Sequence, residues 1–187
     1  LDGSNCCVAK VEGKILALGR AGYLAETSNY EVHHVFNEWV KENADRFFAL
    51  LNEGERVCGE FLAQAVGTRY NLPHEPFVPF DLLVKNTRLP YNLFEQRVKQ
   101  CYFTVPKLLN IGSSYSIENA IDAIQVSGHG AIDEVEGAIW RVERKGQVDF
   151  LAKFVHHHKQ DGKYFPENTG QPTVWNLDVS RWLKPIN

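Results

Sequence analysis

Residues 1–19 read LDGSNCCVAKVEGKILALG, and this stretch predicts how the fold begins. Two runs rich in aliphatic residues, 6–11 and 14–18, flank the dipeptide Glu12-Gly13. Such runs are typical of strands, and a two-residue connection that ends in glycine is typical of a tight turn between them. The sequence therefore predicts an antiparallel hairpin that follows directly on an Asp-Gly turn at Asp2-Gly3.

The remaining elements are predicted from apolar periodicity and from the turn residues that bound each run. In chain order they are a helix at 31–51, strands at 56–65 and 77–84, a helix at 91–100, a strand at 101–105, a helix at 116–126 capped by Ser116, a hairpin of 137–144 with 148–155, and a short segment at 175–183. This order predicts an α+β domain with mainly antiparallel sheets and flanking helices.

The chain length limits the number of domains. A length of 187 residues is enough for one domain with a core of its own. We expect residues 1–159 to form that domain and residues 160–187 to form a polar tail that packs on it. No run of 18 or more apolar residues occurs in the sequence, so a membrane-spanning helix is not expected.

The charge composition restricts the way in which a nucleic acid could be bound. The net charge is −3 and the isoelectric point is near 6.2. Proteins that bind nucleic acid mainly through phosphate neutralisation are normally basic. Any polynucleotide must therefore meet a local basic surface on this chain.

The cysteines predict a cellular compartment. None of the four, Cys6, Cys7, Cys58 and Cys101, forms a C-x-x-C pair. Adjacent residues in a strand point to opposite faces, so Cys6 and Cys7 are not expected to act together. We expect buried free thiols in a reducing compartment, and hence a cytoplasmic protein.

Short motifs follow one another along the chain, each on or beside a predicted strand. They are LDGSN at 1–5, Arg20 in GRAGY, Glu60 in CGEF, Phe80-Asp81 in FVPFDLL, Glu136-Gly137 in EGAIWR, and Lys153 in LAKF. The ordered set resembles the covalent nucleotidyltransferase superfamily of DNA ligases, RNA ligases and mRNA capping enzymes. It is most similar to RNA ligases of the phage double-strand-repair type, over residues 1 to about 155. Asn5, where DNA ligases carry arginine, favours the RNA-ligase branch.

The resemblance implies an ATP-dependent RNA ligase and its adenylyltransferase domain. The implied reaction joins a 5′-phosphate end to a 3′-hydroxyl end through lysyl-AMP and adenylylated-end intermediates. Its cofactors would be ATP and Mg²⁺, and its partners ATP or AMP and RNA ends, with a nicked duplex as one form of the RNA. The implied setting is RNA repair in the cytoplasm, in a phage-encoded protein or a similar one, without a membrane.

The lysine nucleophile of this motif would directly precede Leu1. We therefore expect that an N-terminal part, including that lysine, is missing from the chain. A lysine nucleophile must lose a proton near neutral pH, although its ordinary pKa is about 10.4, so burial or neighbouring cations must lower the pKa.

The resemblance also implies roles for the residues that would hold the nucleotide. Asp2, Gly3 and Asn5 would shape the lysine loop, and Gly3 would allow a close approach of the backbone. The remaining roles go to side chains further along: Arg20 would contact the nucleotide or the 5′-phosphate, Glu60 would accept hydrogen bonds from the ribose hydroxyls, and Phe80 would stack on the adenine. From its apolar context alone, Phe80 is predicted to be a core residue, and Asp81 is expected to support its strand.

Lys153 and Glu136 complete the implied site. Lys153 would contact the α-phosphate, where the transfer transition state concentrates negative charge. The superfamily pattern has two lysines one residue apart at this point, and Leu151 occupies the first position here. Glu136 would lie near the phosphate or the metal-bound water and is the expected metal-binding residue. Together with Arg20, these two residues are the expected catalytic set.

The run His156-His157-His158 resembles a metal-binding tract in composition only. Adjacent histidines on a strand alternate between faces, so the three cannot readily bind one ion. A basic rim that faces nucleic acid is an equally good interpretation.

Two other functions stay open at this level. A capping guanylyltransferase shares the K-x-D-G motif, but capping enzymes and DNA ligases both need an appended OB-fold domain. Only about 30 residues follow position 155, which disfavours both classes. A chain without the lysine could alternatively be a non-catalytic module that binds a nucleotide or an RNA end.

Overall fold

The computed structural model describes residues 1–124 and 128–183. The regular elements in chain order are β1 (Ser4–Val11), β2 (Lys14–Gly19), a short 3₁₀ helix (Ala25–Thr27), α1 (Glu31–Glu42), α2 (Ala44–Leu50), β3 (Glu55–Phe61), β4 (Phe77–Val84), β5 (Thr87–Arg88), α3 (Tyr91–Gln100), α4 (Ile117–Ile124), β6 (Gly137–Arg144), β7 (Gln147–Val155) and α5 (Pro166–Thr169). None of the described helices is long and apolar enough to cross a membrane.

Five of the strands form one sheet, in the order β2-β1-β3-β4-β5, and every neighbouring pair is antiparallel. β6 and β7 form a separate antiparallel hairpin. Its turn is Lys145-Gly146, and both residues have positive φ, which is the conformation that a tight hairpin turn requires. The predicted class, α+β with mainly antiparallel sheets and flanking helices, is confirmed.

The main core lies between one face of the five-stranded sheet and the helices α1 to α3. Phe36 of α1 is fully buried, and its ring centroid lies 4.9 Å from Phe61 and 5.4 Å from Phe77. Two residues of the C-terminal segment, Val179 and Trp182, are buried in the same core. The Trp182 Nε1–H also donates to Glu42 at the end of α1. The larger of the two apolar clusters therefore lies on this side of the sheet, and a smaller one, formed by Leu62, Tyr70 and Val78, lies apart from it.

The predicted helix at 31–51 is two helices in the structure. Asn43 separates α1 from α2, with φ −104° and ψ 17°, and its side-chain amide donates to the Trp39 carbonyl. Asparagine competes with the helix for backbone hydrogen bonds in this way, which explains the break. The apolar periodicity continues across it because both helices pack on the same core.

Two other predicted elements also changed. The strand predicted at 101–105 is wrong, because α3 ends in a turn where Tyr102 has a φ of 62° and the following residues pair with no strand. The strand predicted at 56–65 ends at Phe61. The Ser116 cap is confirmed, since the Ser116 hydroxyl accepts from the Asn119 N–H at 3.1 Å, whereas residues 125–126 of that helix prediction lie outside the described residues.

The cysteine prediction is wrong for two residues. Cys7 and Cys58 stand directly opposite each other in the β1–β3 register and form a disulfide, while Cys6 and Cys101 are free. Cysteine usage therefore no longer argues for a reducing compartment. The pairing could not be read from the sequence, because it depends on the alignment of two strands that lie 51 residues apart.

Candidate nucleotide-binding cleft

The second face of the five-stranded sheet is polar and faces the β6–β7 hairpin. On β1 and β3 this face carries Asn5, Cys7, Cys58 and Glu60, which alternate with the core residues on the same strands. Asn5 stands directly opposite Glu60. Side chains in strands alternate between faces, so the pattern that closes the core also exposes this row.

An ion pair joins the hairpin to this face of the sheet. Asp81 of β4 is nearly inaccessible to solvent and accepts from Arg141 of β6 at 2.5 Å and from Arg88 at 2.8 Å. Arg141 stands opposite Leu151 on β7, and Ile139 stands opposite Lys153. All four of these hairpin residues lie on one face, so Lys153 lies on the face that meets the sheet. Asp81 thus supports the structure, as predicted.

The loop at the N-terminus is held by buried hydrogen bonds. The Gly3 N–H donates to Glu60 Oε1 at 3.1 Å, and the Asp2 N–H donates to the Tyr70 hydroxyl at 2.9 Å. A Cβ at Gly3 would lie 2.6 Å from the Phe61 carbonyl oxygen, so only glycine fits at this close approach of two backbones. The sequence predicted that approach at Gly3, but not the part played by Tyr70.

Three carboxylates share the cleft, and they influence one another. Burial raises the pKa of Glu60 to about 7, with a further contribution to that rise from the charges of Glu136 and Asp2 and an opposing one from the hydrogen bond that the Gly3 N–H donates. Burial also raises the pKa of Asp2, and Glu136 contributes to that shift. The carboxylates of Asp2, Glu60 and Glu136 therefore form one electrostatically coupled group.

Lys153 and Glu136 meet directly. The Lys153 Nζ lies 2.6 Å from Glu136 Oε1, and the lysine side chain is 52% exposed. Glu136 precedes β6 and Lys153 lies on β7, so the hairpin pairing brings together two motifs that are 17 residues apart. The sequence predicted both residues for the site, and the structure brings them into contact.

Arg20 and Phe80 lie at the border of the cleft. β2 ends at Gly19, which stands opposite Cys6, so the exposed Arg20 follows at the same end of the sheet as Asn5. Phe80 is only partly buried and lies where the β3–β4 register shifts between Cys58 and Gly59. It belongs to neither apolar cluster of the described residues, so the interpretation of Phe80 as a core residue is wrong.

The sequence did not predict a role for Lys159. Its Nζ lies 3.2 Å from Asp2 Oδ2, and both side chains are 9% exposed. The Lys159 Nζ also donates to the Gly67 carbonyl at 2.9 Å and to the Thr68 hydroxyl. A lysine in the polar segment after a histidine run carries no signal in a single sequence, because Asp2, Gly67 and Thr68 lie more than 90 residues away from it.

A family model and two solved structures match this chain. The model described as RNA ligase matches residues 1–155. A Naegleria gruberi RNA ligase with PPi is similar at 20% identity and a TM-score of 0.56, over 91% of this chain and 50% of that one. A putative ATP-dependent DNA ligase from Aquifex aeolicus is similar at 15% identity and a TM-score of 0.51, over 83% and 42%.

These similarities differ in what they establish. The chain spans half or less of the length of the two solved structures, and at these identities they show the fold alone. No curated protein matches the sequence. The family model covers most of the chain and agrees with the order of motifs in the cleft. The chain therefore belongs to the RNA ligase family.

Proposed function

We propose that this chain is the adenylyltransferase domain of an ATP-dependent RNA ligase. The observation that supports this best is the convergence of Asp2, Glu60, Glu136 and Lys153 in one cleft between the five-stranded sheet and the hairpin. A triphosphate needs cations, a ribose needs acceptors, and a lysine nucleophile needs neighbours that control its protonation. The cleft offers groups for all three needs.

The nucleophile in this proposal is a lysine that stands directly before Leu1. The Gly3 N–H donates to Glu60 at 3.1 Å, so a residue attached before Leu1 starts only a few residues from that carboxylate. Its amine would attack the α-phosphorus of ATP, the P–N bond would form as the bond to the pyrophosphate oxygen breaks, and pyrophosphate would leave. Lys153 would stabilise the charge that builds up on the α-phosphate oxygens.

The nucleoside would lie along the polar face of the sheet. Glu60, partly buried and opposite Asn5, would accept from the ribose hydroxyls. Phe80 would offer its partly exposed ring to the adenine, and the exposed side chains of Ile139 and Leu151 would add apolar surface from the hairpin. Arg20, at the open end of the sheet, would bind the 5′-phosphate end of the RNA through its planar guanidinium.

Mg²⁺ fits the residues of the cleft. Asp2, Glu60 and Glu136 supply hard oxygen donors, and the raised pKa values of Asp2 and Glu60 reflect burial together with mutual repulsion that a cation would relieve. When bound, Mg²⁺ neutralises charge on phosphate oxygens. Glu136 is the residue that would face it, because its side chain is 21% exposed, whereas Asp2 is 9% exposed and held by the equally buried Lys159.

The later steps follow from the same site. The adenylate would pass to the 5′-phosphate of an RNA end, and the 3′-hydroxyl of a second end would then attack and release AMP. We also propose a cytoplasmic location, where ATP and RNA are available. We further propose that residues 1–159 form the domain and that residues 160–187 form a tail packed on it. The burial of Val179 and Trp182 supports the packing of that tail.

The test uses protein in which a lysine stands directly before Leu1. It is incubated with Mg²⁺ and α-labelled ATP or GTP, and the label is followed on a denaturing gel. We expect covalent label from ATP, release of the label by acid as for a phosphoramide, and its transfer to 5′-phosphorylated RNA. Alanine in place of that lysine serves as the matched control.

Two outcomes would replace this proposal. Label from GTP alone would favour a capping guanylyltransferase. Nucleotide binding without any label would favour the non-catalytic module. Leu151 departs from the two-lysine pattern, and this departure is consistent with that alternative.

A further inference from the structure

A second cluster of polar side chains lies outside the nucleotide cleft. Glu134, His156 and His158 each offer one potential ligand atom, and the three atoms all lie within 4.8 Å of one another. His158 Nε2 is 2.5 Å from Glu134 Oε2. Among the described residues, this is the one group of three or more histidine, cysteine or carboxylate side chains with such a geometry.

The two histidines reach the cluster through a tight turn directly after β7. β7 ends at Val155, and the Lys159 N–H donates to the His156 carbonyl at 3.0 Å, which closes the turn over His157 and His158. The ring centroids of His156 and His158 lie 5.3 Å apart. The objection that adjacent histidines on a strand alternate faces therefore does not apply, because the run lies beyond the end of β7, and Glu134 supplies the third potential ligand from another segment.

The backbone around the cluster is anchored on both segments. The His156 N–H donates to the Glu136 carbonyl at 3.0 Å. The Glu134 carbonyl accepts from the Lys159 Nζ at 3.1 Å and from the Thr68 hydroxyl at 3.2 Å. The side chains are thus carried on two segments whose main chains already contact each other, so little backbone ordering is needed to bring the ligands together.

Two imidazoles and one carboxylate select a class of metal ion. Imidazole nitrogen suits zinc, nickel, cobalt and copper, whereas Mg²⁺ and Ca²⁺ prefer an all-oxygen set. Three protein ligands leave a coordination position for water. Ligands of a tetrahedral zinc lie ~3.3 Å apart, given bond lengths of about 2.0 Å. Small rotations of these side chains, of which Glu134 and His158 are exposed and His156 is half-buried, would therefore admit an ion in place of the hydrogen bond between His158 and Glu134.

We propose that Glu134, His156 and His158 bind one transition-metal dication of the Zn²⁺ class, at a site separate from the Mg²⁺ site of the cleft. The ion links the segment that leads into β6 to the segment that follows β7. These segments adjoin Glu136 and Lys153, so the ion restrains the hairpin that carries both residues. The proposal concerns binding by the protein alone and does not depend on ligase activity.

The test measures Zn²⁺ and Ni²⁺ binding by titration calorimetry and by the shift in melting temperature. The protein used for these measurements is prepared without a histidine tag. We expect one Zn²⁺ per chain and, at about 100 times the dissociation constant, a rise in melting temperature of roughly 5 °C. His156→Ala, His158→Ala and Glu134→Gln should each weaken binding by at least tenfold. Mg²⁺ at the same concentration should neither change the heat of Zn²⁺ binding at this site nor change the shift in melting temperature that Zn²⁺ causes.

His157→Ala is the matched control, because it removes a neighbouring imidazole from the same exposed run. We expect its dissociation constant to stay within a factor of two of the parent. Equal losses in His157→Ala and His158→Ala would show nonspecific binding by the run and overturn the proposal. Unchanged binding in His158→Ala or Glu134→Gln would also overturn it. Circular dichroism of each variant confirms that a loss of binding comes from a folded protein.

Discussion

The two faces of the five-stranded sheet are built from the same strands and have opposite chemistry. One face carries Cys6, Val8, Val57 and Phe61, all fully buried beneath helices. The other carries the half-buried row that includes Asn5 and Glu60 and leads to the coupled carboxylates. Along each of these strands, side chains that stabilise the core therefore alternate with side chains proposed to act in the chemistry. Substitutions on the two faces should therefore fail in different ways.

The largest expected loss of stability comes from a substitution on the core face. Phe36→Ala should lower the free energy of unfolding by about 3–5 kcal/mol, because it leaves a cavity among packed rings. Phe80→Ala, on a ring outside both apolar clusters, should cost about 1 kcal/mol and weaken ATP binding instead. Urea denaturation and nucleotide titration of both variants check this. Equal destabilisation by the two would remove the distinction between the faces.

On the cleft face, Lys153→Ala should slow covalent labelling by about 100- to 1000-fold, the usual loss when one donor to a developing charge is removed. Its ion pair with Glu136 is largely exposed, so the stability should change by less than about 1 kcal/mol. Single-turnover labelling with α-labelled ATP measures the effect, in protein with a lysine before Leu1. Lys145→Asn, in the turn of the same hairpin, is the control, and normal labelling by Lys153→Ala would refute the assignment.

Lys159→Met probes the buried pair beneath the cleft. It should destabilise the protein by about 3 kcal/mol, because Asp2 then stays buried without its cation. Adding Asp2→Asn should recover part of that loss, since the second change removes the uncompensated charge. Thermal unfolding of both single variants and of the double variant completes the cycle. Additive losses would show that the two side chains do not interact.

Glu60→Gln should change how stability depends on pH. The folded pKa of Glu60 is raised to about 7 from an ordinary value near 4.5, so in this interval the folded state holds a proton that the unfolded state has lost. Stability therefore falls as the pH rises from about 4.5 to about 7. Glu60→Gln lacks this dependence on pH, so its stability relative to the parent should rise by roughly 2–3 kcal/mol between pH 5 and pH 8. A pH-independent difference would contradict the assigned pKa.

Local patterns were sufficient for much of the fold. The hairpin of β1 and β2, the strand β4, the helix α3 and the hairpin around Lys145-Gly146 were predicted to within a residue or two. Each is decided by alternation or helical spacing over a short window and by turn residues at its ends. The prediction of a strand at 101–105 was wrong because apolar residues such as Phe103 are buried by a segment that follows a turn and pairs with no strand.

The candidate site divides in a similar way. The order of motifs in the sequence named Asp2, Glu60, Glu136 and Lys153 and implied that they meet. It did not name Tyr70, Lys159 or Arg141, which hold Asp2 and the hairpin in place. These supporting residues come from loops or from an unremarkable strand position, so a single sequence offers no spacing rule that would find them.

By itself, the sequence determined which residues face the core and which chemical groups are available, because both depend on neighbours a few positions away. Only the tertiary structure decided that Cys7 pairs with Cys58, that Lys159 is buried against Asp2, and that Glu134 meets His156 and His158. Those contacts join segments from about 20 to more than 150 residues apart. Whether such segments meet depends on the packing of the whole domain, which no local pattern encodes.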